Sequence, residues 1–193
     1  MDSLFGDHWH KLNPSHPPAS ALWQWPWLLV SDSLTEQLRA VCVHDLQVKV
    51  LTHQFVTASA AACATLALPE ASLVLQREVL LCDGDTPLVF ACSLLPEAAL
   101  VGRYSELREL GARPLGHWIF AEPILKRSTM HYCTITGHHP FLATLHNPIL
   151  LPTDTLWGRK TLFTGTNKPL LVSEFFLPAL AHYPTPLYME TTY

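Results

Sequence analysis

Residues 73–82 and 87–95 are two apolar segments separated only by the turn formers Asp83-Gly84-Asp85-Thr86. Segments of this kind joined so tightly fold back on each other, so residues 73–95 read as an antiparallel hairpin. The pattern returns 82 positions later. Arg77, Pro87 and Pro96 are spaced by ten and nine residues, and Arg159, Pro169 and Pro178 repeat those spacings around a glycine-containing turn at 165–168. Two similar hairpins predict one antiparallel sheet with helices covering one face, an α+β domain.

The remaining segments fit that plan. Residues 46–57 and 129–136 read as further strands, the first rich in Val, Thr and Phe. Ser33-Leu-Thr-Glu36 has the capping-box pattern and opens a helix to Val41 or Cys42. The Ala-rich stretch 58–66 is helical or turn-like. Residues 96–111 read as a helix closed by Gly111, and Pro114 opens a short helix to Phe120. Residues 138–154 form a loop rich in Pro and His.

With 193 residues the chain is one domain: residues 1–20 read as a flexible N-terminal arm, and 21–193 as the folded body anchored by Trp23, Trp25 and Trp27. Only 15% of residues are charged against 49% hydrophobic, which excludes disorder for the body. The formal charge of −4 and the lack of a Lys/Arg cluster argue against nucleic acid as a partner. No run of about 18 apolar residues predicts a membrane span, and the N-terminus lacks the pattern of a secretory signal. Five cysteines, odd in number and never spaced C-x-x-C, suit reduced thiols in the cytoplasm. No extended amphipathic surface demands a partner, so the expected state is a monomer.

Strand alternation locates the charged residues that matter. Arg77 shares a face with Leu73, Leu75, Val79 and Leu81, while Glu78 points the other way with Val74, Gln76 and Leu80. In the second hairpin Glu174 lies among Leu170, Val172 and Phe176. A buried unpaired ion costs several kcal/mol, so both need partners. Three solutions are open: Arg77 pairs with Glu174; each pairs with another residue such as Glu78 or Arg159; or both face a ligand. In the last case the arginine would grip a carboxylate in a two-pronged hydrogen bond, and the glutamate would accept from a hydroxyl or move a proton. His131, Cys133, His138, His139 and His146 fall in one stretch but lack metal-site spacing, and read as solvated loop histidines. Asp83-Gly84-Asp85 is too short for a calcium loop and fits the hairpin turn. No P-loop, dinucleotide fingerprint or nucleophile elbow occurs, so the expected chemistry uses no cofactor and no metal.

Five segments in order, Asp32-Ser-Leu-Thr35, Arg77-Glu-Val-Leu-Leu-Cys82, Arg113-Pro-Leu-Gly116, Leu156-Trp-Gly-Arg159 and Lys168-Pro-Leu-Leu-Val-Ser-Glu-Phe-Phe-Leu-Pro-Ala179, together resemble the chorismate pyruvate-lyase family. The resemblance covers most of residues 25–180. It implies a six-stranded antiparallel sheet with helices on one side and a closed internal pocket. It also implies elimination of pyruvate from chorismate to give 4-hydroxybenzoate for ubiquinone synthesis. By the same resemblance Arg77 binds the ring carboxylate and Glu174 contacts the ring hydroxyl. Backbone groups of Leu34 and Leu115 line the ligand. Leu34 stands where the family pattern has methionine, and the long stretch 138–155 reads as a surface insertion. The rival reading is a non-catalytic sensor domain of the same fold that binds an aromatic carboxylate.

Overall fold

The computed structural model describes residues 8–20, 23–136, 155–165 and 169–186. The turn at 166–168 and the His-rich loop at 138–154 lie outside the described residues.

Among these residues, eight strands form one antiparallel sheet. They are β1 (His10–Lys11), β2 (Leu46–Thr57), β3 (Leu73–Asp83), β4 (Thr86–Pro96), β5 (Lys126–Arg127), β6 (His131–Thr136), β7 (Thr155–Thr164) and β8 (Leu170–Phe176). The order is β1-β6-β7-β8-β4-β3-β2, with β5 also beside β7. The six long strands are the expected ones. The count of six is corrected to eight by β1 and β5, whose two residues each are too short to show an alternation. The two predicted hairpins stand side by side, joined through β4 and β8, where Ala91 faces Glu174 and Ser93 faces Val172.

Among the described residues four α-helices accompany the sheet: α1 (Gln24–Leu28), α2 (Leu34–Val41), α3 (Ala60–Leu66) and α4 (Leu115–Phe120). As the capping box predicts, the Ser33 hydroxyl accepts from the Glu36 amide. The helix expected over 96–111 forms instead as two 3₁₀ segments, Glu97–Ala99 and Gly102–Glu109. Between them Val101 is extended and Gly102 has φ +57°, a turn that glycine adopts without strain. The buried residues Tyr104, Leu107 and Leu110 recur every third position, which is the 3₁₀ period rather than the α period.

The sheet buries both faces. On one, α1 and α2 pack over Val79, Leu81, Val89, Trp157 and Phe176, while α4 and the longer 3₁₀ segment pack over Leu75, Leu95, Phe163 and Leu170. On the other, α3 packs with Val74, Phe90, Leu94, Leu171 and Phe175. The expected helical cover on one face therefore holds for every α-helix but α3, whose small Ala62 and Cys63 lie flat on the opposite side. Within the stretch read as an arm, His10 and Lys11 pair with Tyr132 and His131. Leu12 is buried, and its amide donates to the Met130 carbonyl at 3.0 Å. No helix among the described residues is long and apolar enough to cross a membrane.

Candidate active site

The helix-covered face encloses a cavity of about 50 Å³, against roughly 10–15 Å³ for a single water on the same measure. Its floor is the sheet, where the small Ala91 and Ser93 of β4 leave room between Val79 and Val172. Leu34, Arg77, Leu115 and Glu174, the four residues singled out from sequence, all line it.

Arg77 stands where alternation puts it, on the cavity face of β3 and 2% exposed. Its Nη2 donates to the carbonyls of Gly111 and Arg113 at 2.9 and 3.0 Å. Its buried Nε donates to nothing among the described residues, and no carboxylate there pairs with it. Burial draws the guanidinium down to about 10, because leaving water disfavours the charged form.

Glu174 is the partner of Arg159: Nε of the arginine donates to Oε2 at 2.6 Å across the β7–β8 pair. Arg159 is 1% exposed, and its Nη1 donates to the carbonyls of Trp27, Leu28 and Val30 at 3.2, 3.2 and 2.7 Å. Those carbonyls close the C-terminal end of α1, where a cation is favoured. Of the three solutions open from sequence, Glu174 thus takes the second, and Arg77 pairs with neither Glu174 nor Glu78. Glu78, on the opposite face, accepts from Gln76 Nε2 at 2.7 Å. Arg77 and Glu174 lie two strands apart and two positions out of register. Ordinary strand spacing puts their Cα atoms about 12 Å from each other, with Ala91 and Ser93 between them.

The roof comes from two helix starts. Leu34 opens α2 and Leu115 opens α4 after Pro114. They approach closely because of Gly116: a Cβ there would meet Thr35 Oγ1 at 3.3 Å and Ser33 Oγ at 3.4 Å.

A second arginine, missed from sequence, lines the cavity with Arg77. Arg127 in β5 carries its guanidinium over the rings of Phe120 and Phe163, 5.1 and 5.5 Å from their centroids. Its Nη1 donates to the Val30 carbonyl at 3.1 Å, and its buried Nε donates to nothing among the described residues. Periodicity cannot flag a residue in a two-residue strand, and no other signal marked it. Of the histidine stretch, His131 and Cys133 lie on β6, whereas His138, His139 and His146 are outside the described residues.

A family profile described as chorismate lyase matches residues 9–183. The chain belongs to the chorismate lyase family. A protein of Nitrosomonas eutropha named probable chorismate pyruvate-lyase is 33% identical over 172 residues, covering 89% of this chain and 94% of that one. The chorismate pyruvate-lyase of Erwinia tasmaniensis is 33% identical over 162 residues, 84% and 79% of the two chains. Among solved structures, the C-terminal domain of the histidine utilization repressor from Pseudomonas syringae pv. tomato superposes with TM-score 0.58 at 9% identity, over 75% of this chain and 99% of that one. A GntR-family transcriptional regulator from Bacillus cereus superposes with TM-score 0.54 at 16% identity, over 75% and 99%. At such identities the likeness is one of fold alone.

In this chorismate lyase family member the segments that carry the sequence resemblance converge on the cavity. Leu34 and Thr35, Arg77, Pro114 to Gly116, and Glu174 line it directly. The Leu156-Trp-Gly-Arg159 segment acts through Glu174 and through Gly158, where the Phe175 ring lies so close that a Cβ would come within 2.5 Å.

Proposed function

We propose that the chain is a chorismate lyase that converts chorismate to 4-hydroxybenzoate and pyruvate, as a cytoplasmic, monomeric enzyme without cofactor, supplying ubiquinone synthesis. The observation that carries this reading is the buried, unneutralised guanidinium of Arg77 in a cavity otherwise walled largely by apolar side chains. A buried cation without a countercharge is costly, and a ligand carboxylate docking against the guanidinium offsets that cost. Such a charge-assisted bond also orients the ring. Across Ala91 and Ser93, Glu174 offers carboxylate oxygens as acceptors for a hydroxyl para to that carboxylate.

The reaction is isomer-balanced. The ring carbon–oxygen bond to the enolpyruvyl group breaks, hydrogen leaves the adjacent hydroxyl-bearing carbon, the ring becomes aromatic, and the departing enolpyruvate takes up hydrogen to become pyruvate. It needs no redox partner. Aromatisation supplies the driving force, so the residues act chiefly by orienting the substrate and favouring the charge that develops on the leaving oxygen. The test is to incubate the protein with chorismate and quantify both products. Equal amounts of 4-hydroxybenzoate and pyruvate, lost in Arg77→Ala, support the lyase. Tight 4-hydroxybenzoate binding without turnover would point to a sensor domain.

A further inference from the structure

We infer that Arg127 forms a second carboxylate subsite in the cavity, which holds the carboxylate of the enolpyruvyl group. This rests on the lyase reading and extends it to the half of the substrate that leaves.

The cavity carries more positive charge than one carboxylate would match. Arg77 and Arg127 line it, while Glu174 is already paired with Arg159. Like Arg77, Arg127 forms no salt bridge among the described residues. Its Nη1 is used by the Val30 carbonyl and the Met130 sulfur, and its Nη2 makes only a long bond of 3.4 Å to the Asp32 carbonyl. The Nε edge remains, and Nε with the neighbouring Nη is the side-on pair that grips a carboxylate. The rings of Phe120 and Phe163 flank the guanidinium carbon at 5.1 and 5.5 Å, a cation–π contact that holds the group without consuming a hydrogen-bond acceptor.

Position decides which carboxylate. Arg127 and Arg159 both donate to the Val30 carbonyl, at 3.1 and 2.7 Å, and Arg159 in turn holds Glu174. Arg77 is anchored elsewhere, on the carbonyls of Gly111 and Arg113. Arg127 therefore sits on the Glu174 side of the cavity. In chorismate the ring carboxylate and the hydroxyl are at opposite ends of the ring, and the enolpyruvyl ether is on the carbon next to the hydroxyl. With the ring carboxylate on Arg77 and the hydroxyl on Glu174, the enolpyruvyl carboxylate falls toward Arg127. The dicarboxylate substrate then uses both arginines and the monocarboxylate aromatic product only one, so product does not compete for the second subsite.

The experiment compares wild type, Arg127→Ala and Arg127→Lys by KM for chorismate and by equilibrium affinity for 4-hydroxybenzoate. The expected result is a KM for chorismate raised about 10- to 100-fold in Arg127→Ala, the range for a lost charge-assisted bond. The lysine variant should fall between, because it keeps the charge but not the fork. Affinity for 4-hydroxybenzoate should change less than about threefold, which also shows that the variant cavity is folded. Parallel losses for both ligands, or an unchanged KM for chorismate, would overturn the subsite. Failure of the wild type itself to turn over chorismate would overturn the lyase reading and the subsite with it, and is recognised before any variant is compared.

Discussion

Arg159 grips Glu174 across neighbouring strands, Nε to Oε2 at 2.6 Å, while its Nη1 gathers three carbonyls at the end of α1. One guanidinium thus fixes the glutamate's orientation and pins a helix to the sheet. Arg159→Met should cost about 3–5 kcal/mol, the range for breaking a buried pair by removing one partner. Urea denaturation would measure it, and a loss below 1 kcal/mol would show that the pair carries little.

Arg77 presents the opposite balance. Its truncation to Met removes two hydrogen bonds to carbonyls, each worth about 1 kcal/mol, but also the desolvation cost of a buried cation. These offset, so the stability of Arg77→Met should stay within about 1 kcal/mol of wild type by the same estimates. Its affinity for 4-hydroxybenzoate should fall at least tenfold. Titration calorimetry beside urea denaturation separates the two effects. A variant as unstable as Arg159→Met with unchanged affinity would mean that Arg77 is a structural residue.

The contrast between the two arginines marks what the sequence can carry. Alternation along β3 is enough to put Arg77 and Glu78 on opposite faces, because each residue's face follows from its own strand. The partner of Glu174 depends on the register between β7 and β8, which the turn sets. Arg159 was therefore one candidate among several. Arg127 belongs to a two-residue strand and escapes any periodicity. The stretch 96–111 misleads for a different reason: Leu107 and Leu110 are three apart, a spacing common to α and 3₁₀ helices, and the left-handed Gly102 that breaks the run shows only in the backbone.

Gly158 gives a sharper test of packing. Alanine in a strand is ordinarily favoured over glycine by about 0.5–1 kcal/mol. Here its Cβ would lie 2.5 Å from the ring of Phe175, which is fully buried and packed against Trp9 and Phe90. Overpacking a core costs about 1–3 kcal/mol, so crowding outweighs propensity and Gly158→Ala should be destabilising. The displaced ring adjoins Glu174 in the chain, so kcat/KM should fall as well. A variant as stable as wild type would show that Phe175 can move aside at little cost.

Acid stability should turn on Asp83. Burial alone would raise its pKa, but the amides of Val43 and His44, the hydroxyl of Tyr183 and the ring of His44 all donate to the carboxylate and bring it down to about 2. The same contact ties the end of α2 and the segment after β8 to the turn of the first hairpin. With the folded value below the ordinary 3.8, the unfolded chain binds more protons in the interval between them. Stability from this group is then complete above about 4 and is lost as the pH falls towards about 2. Asp83→Asn removes the titration, so the variant should be less stable than wild type near neutrality, and the gap should narrow on acidification. Urea midpoints of both proteins from pH 7 downward measure it. A constant difference across the acid range would show that the carboxylate's charge has no part in holding these segments together.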